Sequence, residues 1–247
     1  MPRFFVRSTQ IDNKIVTITG EDVHHISRAL RMAVGEHITV CDMQRFEYDC
    51  VLTDFLPDKV LAAVVETRKL QTESPCRITL FQALPKGDKL DTVIQKAVES
   101  GVAHIVPFES ERCVVHVKPE AEARKTERRC RIALEAAKQC GRGMIPAVSD
   151  TVSFAEMLRL AKKNDLVLFC YEGDGTRPIG QCVDRHTLKS DASIAVIIGS
   201  EGGFSLAEAE AACTAGFTMT GLGPRILRTE TASGFALACL SCLLELS

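Results

Sequence analysis

The sequence predicts an α/β protein in which a small β-barrel domain precedes a parallel sheet covered by helices. Short strands and turn residues fill the first 70 residues. Further along, near-continuous apolar runs such as IAVII alternate with helices, which is typical of parallel sheets buried on both faces. The polar stretch QTESP at 71–75 separates the two patterns. We therefore place the domains at 1–70 and 71–247.

The small domain is predicted to contain four strands and one helix. The helix covers 21–32, where Val23, Ile26 and Leu30 share one face. Alternating apolar residues place the strands at 13–19, 36–41, 46–53 and 59–67.

The large domain is predicted to alternate strands with helices. The strands are 77–84, 102–107, 165–171, 193–198 and 217–222. The helices are 88–100, 120–140, 154–162, 206–215 and 229–246.

Composition limits the function classes. The 247 residues carry a formal charge of only -2, so any RNA binding must come from local patches. The longest apolar run spans about a dozen residues, short of the roughly 20 that cross a bilayer. The N-terminus has no apolar signal region, so we expect a cytoplasmic protein. Its 11 cysteines, an odd number in apolar surroundings, are expected to be reduced core thiols.

A glycine-rich loop follows the most apolar strand. Residues 199–203 read GSEGG, and Ser205 with Glu208 predicts a capping box for the next helix. Such a loop at the carboxyl end of a parallel strand lets backbone groups reach a ligand. It matches neither G-x-G-x-x-G nor a P-loop. A simple tight turn is the alternative for a lone glycine pair.

The chain repeats this arrangement near its end. The strand 217–222 leads into a loop at 221–228 and then a helix capped by Thr229 or Thr231. The two loops would lie side by side if their strands are neighbours, which favours a cofactor pocket. Arg225 and Arg228 could hold a phosphate or orient a base, although a surface salt bridge is the commoner fate of one arginine.

Two basic segments could follow an RNA backbone. One is the helix within 120–142, and the other is the cluster of His24, His25, Arg28 and Arg31. Charge runs are usually solvated faces, and a histidine such as His25 is more often solvated or part of the core. The pair Cys239 and Cys242 has no second pair, so we expect no zinc and no other metal.

Five motifs in sequence resemble one known family. They are HHISRALRMAVGEHITV, ALPKGDKLDTVIQKAVESGVAHIVPFESERCVV, AAKQCGR, IGSEGG and LGPRILRTETA. The chain resembles the RsmE family of 16S ribosomal RNA uridine-N3 methyltransferases, in the SPOUT class of trefoil-knotted transferases that use S-adenosyl-L-methionine. The resemblance implies an rRNA-processing enzyme of ribosome biogenesis that methylates the small subunit's 16S rRNA. It also implies an RNA-binding PUA-like barrel, a knotted C-terminal domain and a homodimer.

The resemblance also implies site residues. As a mechanistic hypothesis beside the resemblance, the catalytic candidates are Arg228, to stabilise charge on the uracil, and Glu230 or Glu201 as general base. A structural role is the alternative for both glutamates. Cofactor contacts would come from Ile198, Gly199, Ser200, Glu201, Gly202, Gly203, Leu222, Gly223, Pro224, Leu227, Arg228, Thr229, Thr231 and Ala232. RNA contacts would come from Arg28, Arg31, Arg128, Arg142 and Arg225. Small residues at 232–236, including Gly234, would let the last helix pack closely through the knot.

The chain departs from the family pattern at three places. Ser200 stands where the family usually has proline, Lys138 where it has glutamate, and Asp42-Met43-Gln44 where it has an Asp-Gly turn. Serine lacks the fixed φ of proline, so the loop at 199–203 is expected to be looser.

Two rival functions remain open at this point. A ribosome-assembly factor that binds RNA without chemistry would leave both glycine loops unused. A SPOUT methyltransferase acting on ribose or on guanine of transfer RNA would use the same pocket, but the barrel and the LGPRILRTETA motif argue against it.

Overall fold

The computed structural model describes residues 1–184, 187–189 and 191–246. It divides into two compact units. Unit 1 contains Met1–Glu73 and Ala137–Ile145, and unit 2 contains Ser74–Ala136 and Pro146–Ser247. The α/β fold class predicted from the sequence pattern is confirmed. The first unit has a mixed sheet and the second an all-parallel sheet.

Unit 1 is built on a mixed sheet. Its described strands are β1 (Arg3–Phe5), β2 (Ile11–Asp12), β3 (Ile15–Thr19), β4 (His37–Cys41), β5 (Phe46–Phe55) and β6 (Lys59–Lys69). They pair in the order β1-β4-β5-β6-β3-β2, with β1 parallel to β4 and the other pairs antiparallel. The four predicted strands are present, and the sequence missed only β1 and β2, which have three and two residues.

The predicted helix of this unit is shorter than expected. α1 (Glu21–His24) runs into a π turn at His25–Ala29. Val23 and Ile26 are buried as predicted, but Leu30 is 41% exposed. The wider π turn, in which the N–H of Leu30 bonds the carbonyl of His25, rotates Leu30 off the apolar face. The prediction of Leu30 on that face is therefore wrong.

A carboxylate-centred turn stands where the family has Asp-Gly. Met43 adopts a left-handed φ of 56°, a region in which L-residues other than Asn and Asp are uncommon. The buried Asp42 carboxylate accepts the backbone N–H groups of Gln44, Arg45 and Phe46 at 2.9 to 3.0 Å. These three bonds hold the turn without glycine.

Unit 2 alternates strands with helices. Its strands are β7 (Arg77–Ala83), β8 (His104–Glu109), β9 (Ala147–Val148), β10 (Val152–Ser153), β11 (Leu166–Cys170), β12 (Arg177–Pro178), β13 (Ser193–Ile198) and β14 (Thr218–Gly221). Its helices are α2 (Lys89–Glu99), α3 (Pro119–Cys140, whose last four residues belong to unit 1), α4 (Phe154–Ala161), α5 (Ile179–Cys182), α6 (Leu206–Thr214) and α7 (Thr229–Glu245).

The strand order of unit 2 determines which loops meet. The described strands pair in the order β10-β8-β7-β13-β11-β14-β12, and β9 adds to β8. Every pair is parallel. All ten predicted strands and helices are present, whereas α5 and the two-residue strands were missed. The two strands that carry glycine loops are not neighbours, because β11 lies between β13 and β14.

The cysteines are less buried than predicted. All eleven are free, but Cys130, Cys213 and Cys242 are exposed. Burial raises the pKa of Cys50 to about 12, as expected for a core thiol. Among the described residues, no helix has the length and apolar character that a membrane span requires.

One predicted RNA contact lies in the interior instead. Arg142 is only 4% exposed, and its guanidinium pairs with the carboxylate of Glu73. The same carboxylate accepts the N–H groups of Gly143 and Met144. Within unit 1, these bonds join the segment Ala137–Ile145 to Glu73, which follows β6 in the chain. This location argues against the predicted RNA contact of Arg142, because a buried, paired guanidinium presents no face to a phosphate.

We expect Arg142→Ala to lower the free energy of unfolding by about 3 kcal/mol, because it leaves the Glu73 carboxylate without its charge partner. The matched control is Arg128→Ala, which removes an arginine that is 63% exposed and pairs with Asp91; its cost is expected to stay below about 1 kcal/mol. Urea unfolding of the two variants measures the difference. Equal losses would contradict a structural role for Arg142.

Candidate active site

A cavity of about 430 Å³ opens at the carboxyl ends of β13, β11 and β14. That position is where open parallel sheets bind ligands, and the volume lies in the range of small-molecule sites. Both glycine loops and the start of α7 line it. The predicted residues in its lining are Ile198, Gly199, Ser200, Gly202, Gly203, Leu222, Gly223, Pro224, Arg225, Leu227, Thr229 and Ala232.

Part of the cavity lining comes from segments that the sequence pattern did not indicate. Because β11 lies between the two predicted strands, its own carboxyl end contributes Cys170, Tyr171, Glu172 and Gly173. The turn after β8 contributes Arg112. Neither segment carries a glycine-rich motif. Only the strand order places the segment after β11 at the cavity. Arg112 lies in the second of the five sequence motifs, for which no site role was predicted.

Phe204, which directly follows the first glycine loop, anchors this loop in the core. This ring is buried and lies 4.3 Å from the ring of Phe169 on β11, measured between centroids. It also stacks parallel to Phe108 of β8, with an interplanar angle of 5°. Aromatic pairs of this kind contribute beyond simple burial. The loop therefore leaves β13, lines the cavity and is fixed again in the core at Phe204.

The turn that contains Arg112 holds the same loop from outside. The Nη1 of Arg112 donates to the carbonyl of Gly202 at 3.0 Å. Ser200 Oγ donates to the carbonyl of Arg112 at 3.3 Å. A Cβ added at Gly202 would lie 3.0 Å from the Cβ of Arg112, so this close approach favours glycine. The Ser200 hydroxyl thus supplies a tether where the family has the stiffness of proline.

The helix after this loop begins as predicted. Ser205 Oγ accepts the N–H of Glu208 at 3.3 Å, and the Glu208 carboxylate accepts the N–H of Ser205 at 3.0 Å. This is the predicted capping box. The other oxygen of Glu208 accepts the N–H of Glu111 at 2.8 Å. The cap of α6 therefore also holds the turn that contains Arg112.

We expect Ser205→Ala to cost about 1 kcal/mol of stability, the usual effect of losing an N-cap. Ser153→Ala is the matched control, because Ser153 caps α4 by the same bond to Glu156 away from the cavity. Both variants should lose similar stability, but only Ser205→Ala should accelerate amide hydrogen exchange at Gly202 and Gly203. Equal exchange in both would argue against coupling between cap and loop.

Thr229 does not cap the last helix. The N-cap of α7 is Arg228, whose carbonyl accepts the N–H groups of Thr231 and Ala232. The Thr229 hydroxyl is buried and donates to the carbonyl of Gly199 at 2.6 Å. The prediction of a threonine cap is therefore wrong, because the hydroxyl has a distant partner in the first glycine loop. This bond joins two walls of the cavity.

A charged cluster lies beside the cavity. Lys89 Nζ donates to Glu201 at 2.7 Å and lies 3.7 Å from a carboxylate oxygen of Glu230. The N–H of Lys86 also donates to Glu201. Burial alone would raise the pKa of Glu201, but the bonds from Lys89 and Lys86 outweigh it and lower this pKa. The bond to Glu201 raises the pKa of Lys89. This pair stays ionised near neutral pH.

Four of the predicted catalytic and cofactor-binding residues lie outside the cavity lining, and the structure describes all four. They are Glu201, Arg228, Glu230 and Thr231. Arg228 is exposed at the start of α7, and its positive charge opposes the rise in the pKa of Lys89. Oε2 of Glu230 is buried and, among the described residues, accepts no hydrogen bond. These groups lie next to a cavity whose own lining carries three charged side chains.

The structure places the predicted RNA contacts in different surroundings. Arg28 and Arg31 are exposed beside the π turn of unit 1. Arg225 is exposed and lines the cavity. Lys138, the departure from the family's glutamate, pairs with Asp22 at 3.3 Å within unit 1 and lies 5.7 Å from the ring centre of Phe4. Lys138 therefore forms an ion pair with Asp22 at the position where the family has glutamate.

The donor sets do not suggest a metal. Within 1–184, 187–189 and 191–246, no three His, Cys, Asp or Glu side chains converge in a way that could hold a metal ion. The cavity lining instead combines glycines of both loops, apolar side chains such as Leu222 and Leu227, and three charged side chains. Such a lining suits an organic ligand with its own hydrogen-bonding groups.

Comparison with known proteins decides the family. A model described as RNA methyltransferase domain matches residues 72–241, and one described as RNA methyltransferase PUA domain matches 18–64. Ribosomal RNA small subunit methyltransferase E of Bacillus subtilis is 37% identical, covering 100% of this chain and 98% of that protein. The chain belongs to the ribosomal RNA small subunit methyltransferase E family.

Two further relatives of this methyltransferase E family have similar extent. The protein of that name from Synechocystis is 33% identical over 98% of this chain and 78% of its own length. The crystal structure of the Neisseria gonorrhoeae protein, bound to S-adenosyl methionine, has a TM-score of 0.84 at 31% identity and covers 98% of both chains. The chain is thus an RNA methyltransferase with an N-terminal PUA domain, as predicted.

Proposed function

We propose that this chain transfers the methyl group of S-adenosyl-L-methionine to N3 of a uridine in the 16S rRNA of the small ribosomal subunit. The single observation that supports this most is the shared cavity. Both glycine loops and the first turn of α7 line one space, in a chain of the methyltransferase E family. Backbone groups of Gly199, Gly202 and Leu222 are suited to bind the adenine and methionine parts of the cofactor.

The cofactor supplies an electrophilic methyl group, and the protein must orient the uracil and remove its N3 proton. N3 lies on the Watson–Crick edge, so the base must be unpaired or flipped out. We assign Arg228 to stabilise the negative charge that develops on a uracil carbonyl oxygen. Its exposed position beside the cavity leaves its guanidinium accessible to RNA.

Glu230 is the better candidate for the general base. Glu201 accepts hydrogen bonds from Lys89 and Lys86, which lower its pKa and make it a weak proton acceptor. Glu230 has a buried oxygen without a hydrogen-bond donor among the described residues, held near Lys89 by charge alone. A carboxylate oxygen that accepts no hydrogen bond can take a proton from the substrate without breaking an existing bond.

We expect Glu230→Gln to lower kcat by about 10²-fold or more, the usual effect of losing a general base, with little change in cofactor affinity. Glu201→Gln is the matched isosteric control and should lower kcat less than about tenfold. Single-turnover methylation of 16S rRNA, with nucleoside analysis of the product, provides the measurement. A larger loss in Glu201→Gln would reverse the assignment.

The wider biology of the site is part of the same proposal. The exposed Arg28, Arg31 and Arg225 are suited to contact RNA phosphates, with Arg128 after release from Asp91. We further propose a cytoplasmic homodimer whose last helix completes a trefoil knot, as the family resemblance implies. Gly234 has open space around the position of an added Cβ, so close packing within this chain does not require that glycine.

The test of the cofactor site is isothermal titration with S-adenosyl-L-methionine. Wild type should show saturable binding, and Gly202→Val should lose it, because the added side chain meets Arg112 and displaces the loop. Gly180→Val is the control, since nothing lies within 4 Å of a Cβ at that position. Its binding should match wild type.

Other outcomes identify the alternatives. Absence of binding by wild type, with RNA binding retained, would favour an assembly factor that binds RNA without chemistry. Cofactor binding with a methylated ribose or guanine in the product would favour a different SPOUT reaction. N3-methyluridine as the product supports the proposal.

A further inference from the structure

Gln82 is buried at the junction of the cavity walls, although it does not line the cavity. It is the penultimate residue of β7, pairs with Ile198 in the sheet and is 0% exposed. A polar side chain in such a position is uncommon without a specific partner. The sequence analysis assigned it no role.

The side-chain amide of Gln82 begins a hydrogen-bond chain that reaches the cavity. Its Nε2 donates to Thr229 Oγ1 at 2.9 Å, and the Thr229 hydroxyl donates to the carbonyl of Gly199 at 2.6 Å. Nε2 also lies 3.4 Å from the same Gly199 carbonyl and 3.0 Å from the carbonyl of Ala83. Three acceptors around Nε2 determine the orientation of the amide.

The direction of this chain is fixed by chemistry. A hydroxyl has one proton to donate. Because Nε2 can only donate, Thr229 must accept from it and is left to donate to Gly199. The amide of Gln82 therefore selects the rotamer in which the hydroxyl points at the glycine loop. A side chain without an N–H at position 82 would remove this support and leave only the bond to the Gly199 carbonyl to orient the hydroxyl.

The other half of the amide has no partner. Oε1 of Gln82 is buried and accepts no hydrogen bond from the described residues. An unsatisfied buried acceptor opposes folding. An apolar side chain of similar length would remove this oxygen and preserve the packing, so stability alone does not explain a glutamine here.

We propose that Gln82 is a positioning residue for methyl transfer, which acts through Thr229 to hold the Gly199 carbonyl and the first turn of α7 in the arrangement that binds the cofactor. This inference rests on the proposed function. Gln82 touches neither cofactor nor RNA; it orders the two walls before the ligand arrives. Order of this kind increases affinity because less freedom is lost on binding.

The experiment uses Gln82→Met, which keeps the length of the side chain and removes both polar atoms of the amide. Its Kd for S-adenosyl-L-methionine, measured by isothermal titration, should rise about tenfold or more, while the urea unfolding midpoint stays equal to wild type or increases. Amide hydrogen exchange without ligand should accelerate at 199–203 and 229–232. Thr79→Val is the control, because it removes another buried polar side chain from the same strand.

A double substitution tests the chain itself. Thr229→Val should weaken cofactor binding like Gln82→Met, and the two together should be no worse than either alone, since both break one series of bonds. Thr229→Ser keeps the hydroxyl and should retain most of the affinity. Additive losses would overturn the proposal.

The remaining outcomes are distinguishable. A lower unfolding midpoint with unchanged Kd would make Gln82 a purely structural residue and overturn the inference. If wild type itself does not bind the cofactor, the proposed function fails, and the exchange measurement still decides whether Gln82 orders the two walls. Unchanged exchange in Gln82→Met would overturn that as well.

Discussion

The hydrogen bond from the Thr229 hydroxyl to the Gly199 carbonyl is the interaction on which the shape of the site depends. Thr229 opens the last helix, and Gly199 opens the first glycine loop. The bond crosses 30 positions of sequence. At 2.6 Å it is short, and the Thr229 side chain that donates it is buried. Both walls of the cavity are therefore held by one contact before any ligand binds.

Charged side chains lie both in the cavity lining and beside it. Lys89 lies against Glu201 from the first loop region and Glu230 from α7, so it opposes repulsion between the two carboxylates. Arg225 and Arg228 remain exposed near the cavity. In the proposed reaction, backbone groups of the glycine loops would bind the cofactor, whereas the exposed arginines would contact the nucleic acid.

The sequence predicted the regular elements well because their signals are local. Apolar runs such as that of β13 and the capping box at Ser205 lie within a few residues. It failed where the partner is distant. β12 has only two residues and forms through pairing with β14. Thr229 is a suitable N-cap residue by local sequence, but its hydroxyl bonds the distant Gly199 instead. The loop after β11 was missed because strand order, not residue pattern, places it at the cavity.

The unpartnered oxygen of Gln82 indicates how much folding free energy is lost to keep this arrangement. A buried acceptor without a donor costs about 1–3 kcal/mol, a sizeable fraction of the 5–15 kcal/mol that separates folded from unfolded domains. An apolar residue would avoid that cost but would leave the Gly199 carbonyl alone to orient the Thr229 hydroxyl, without support from the amide. The glutamine thus favours a defined site over maximal stability, which is the relation expected where function requires pre-formed geometry.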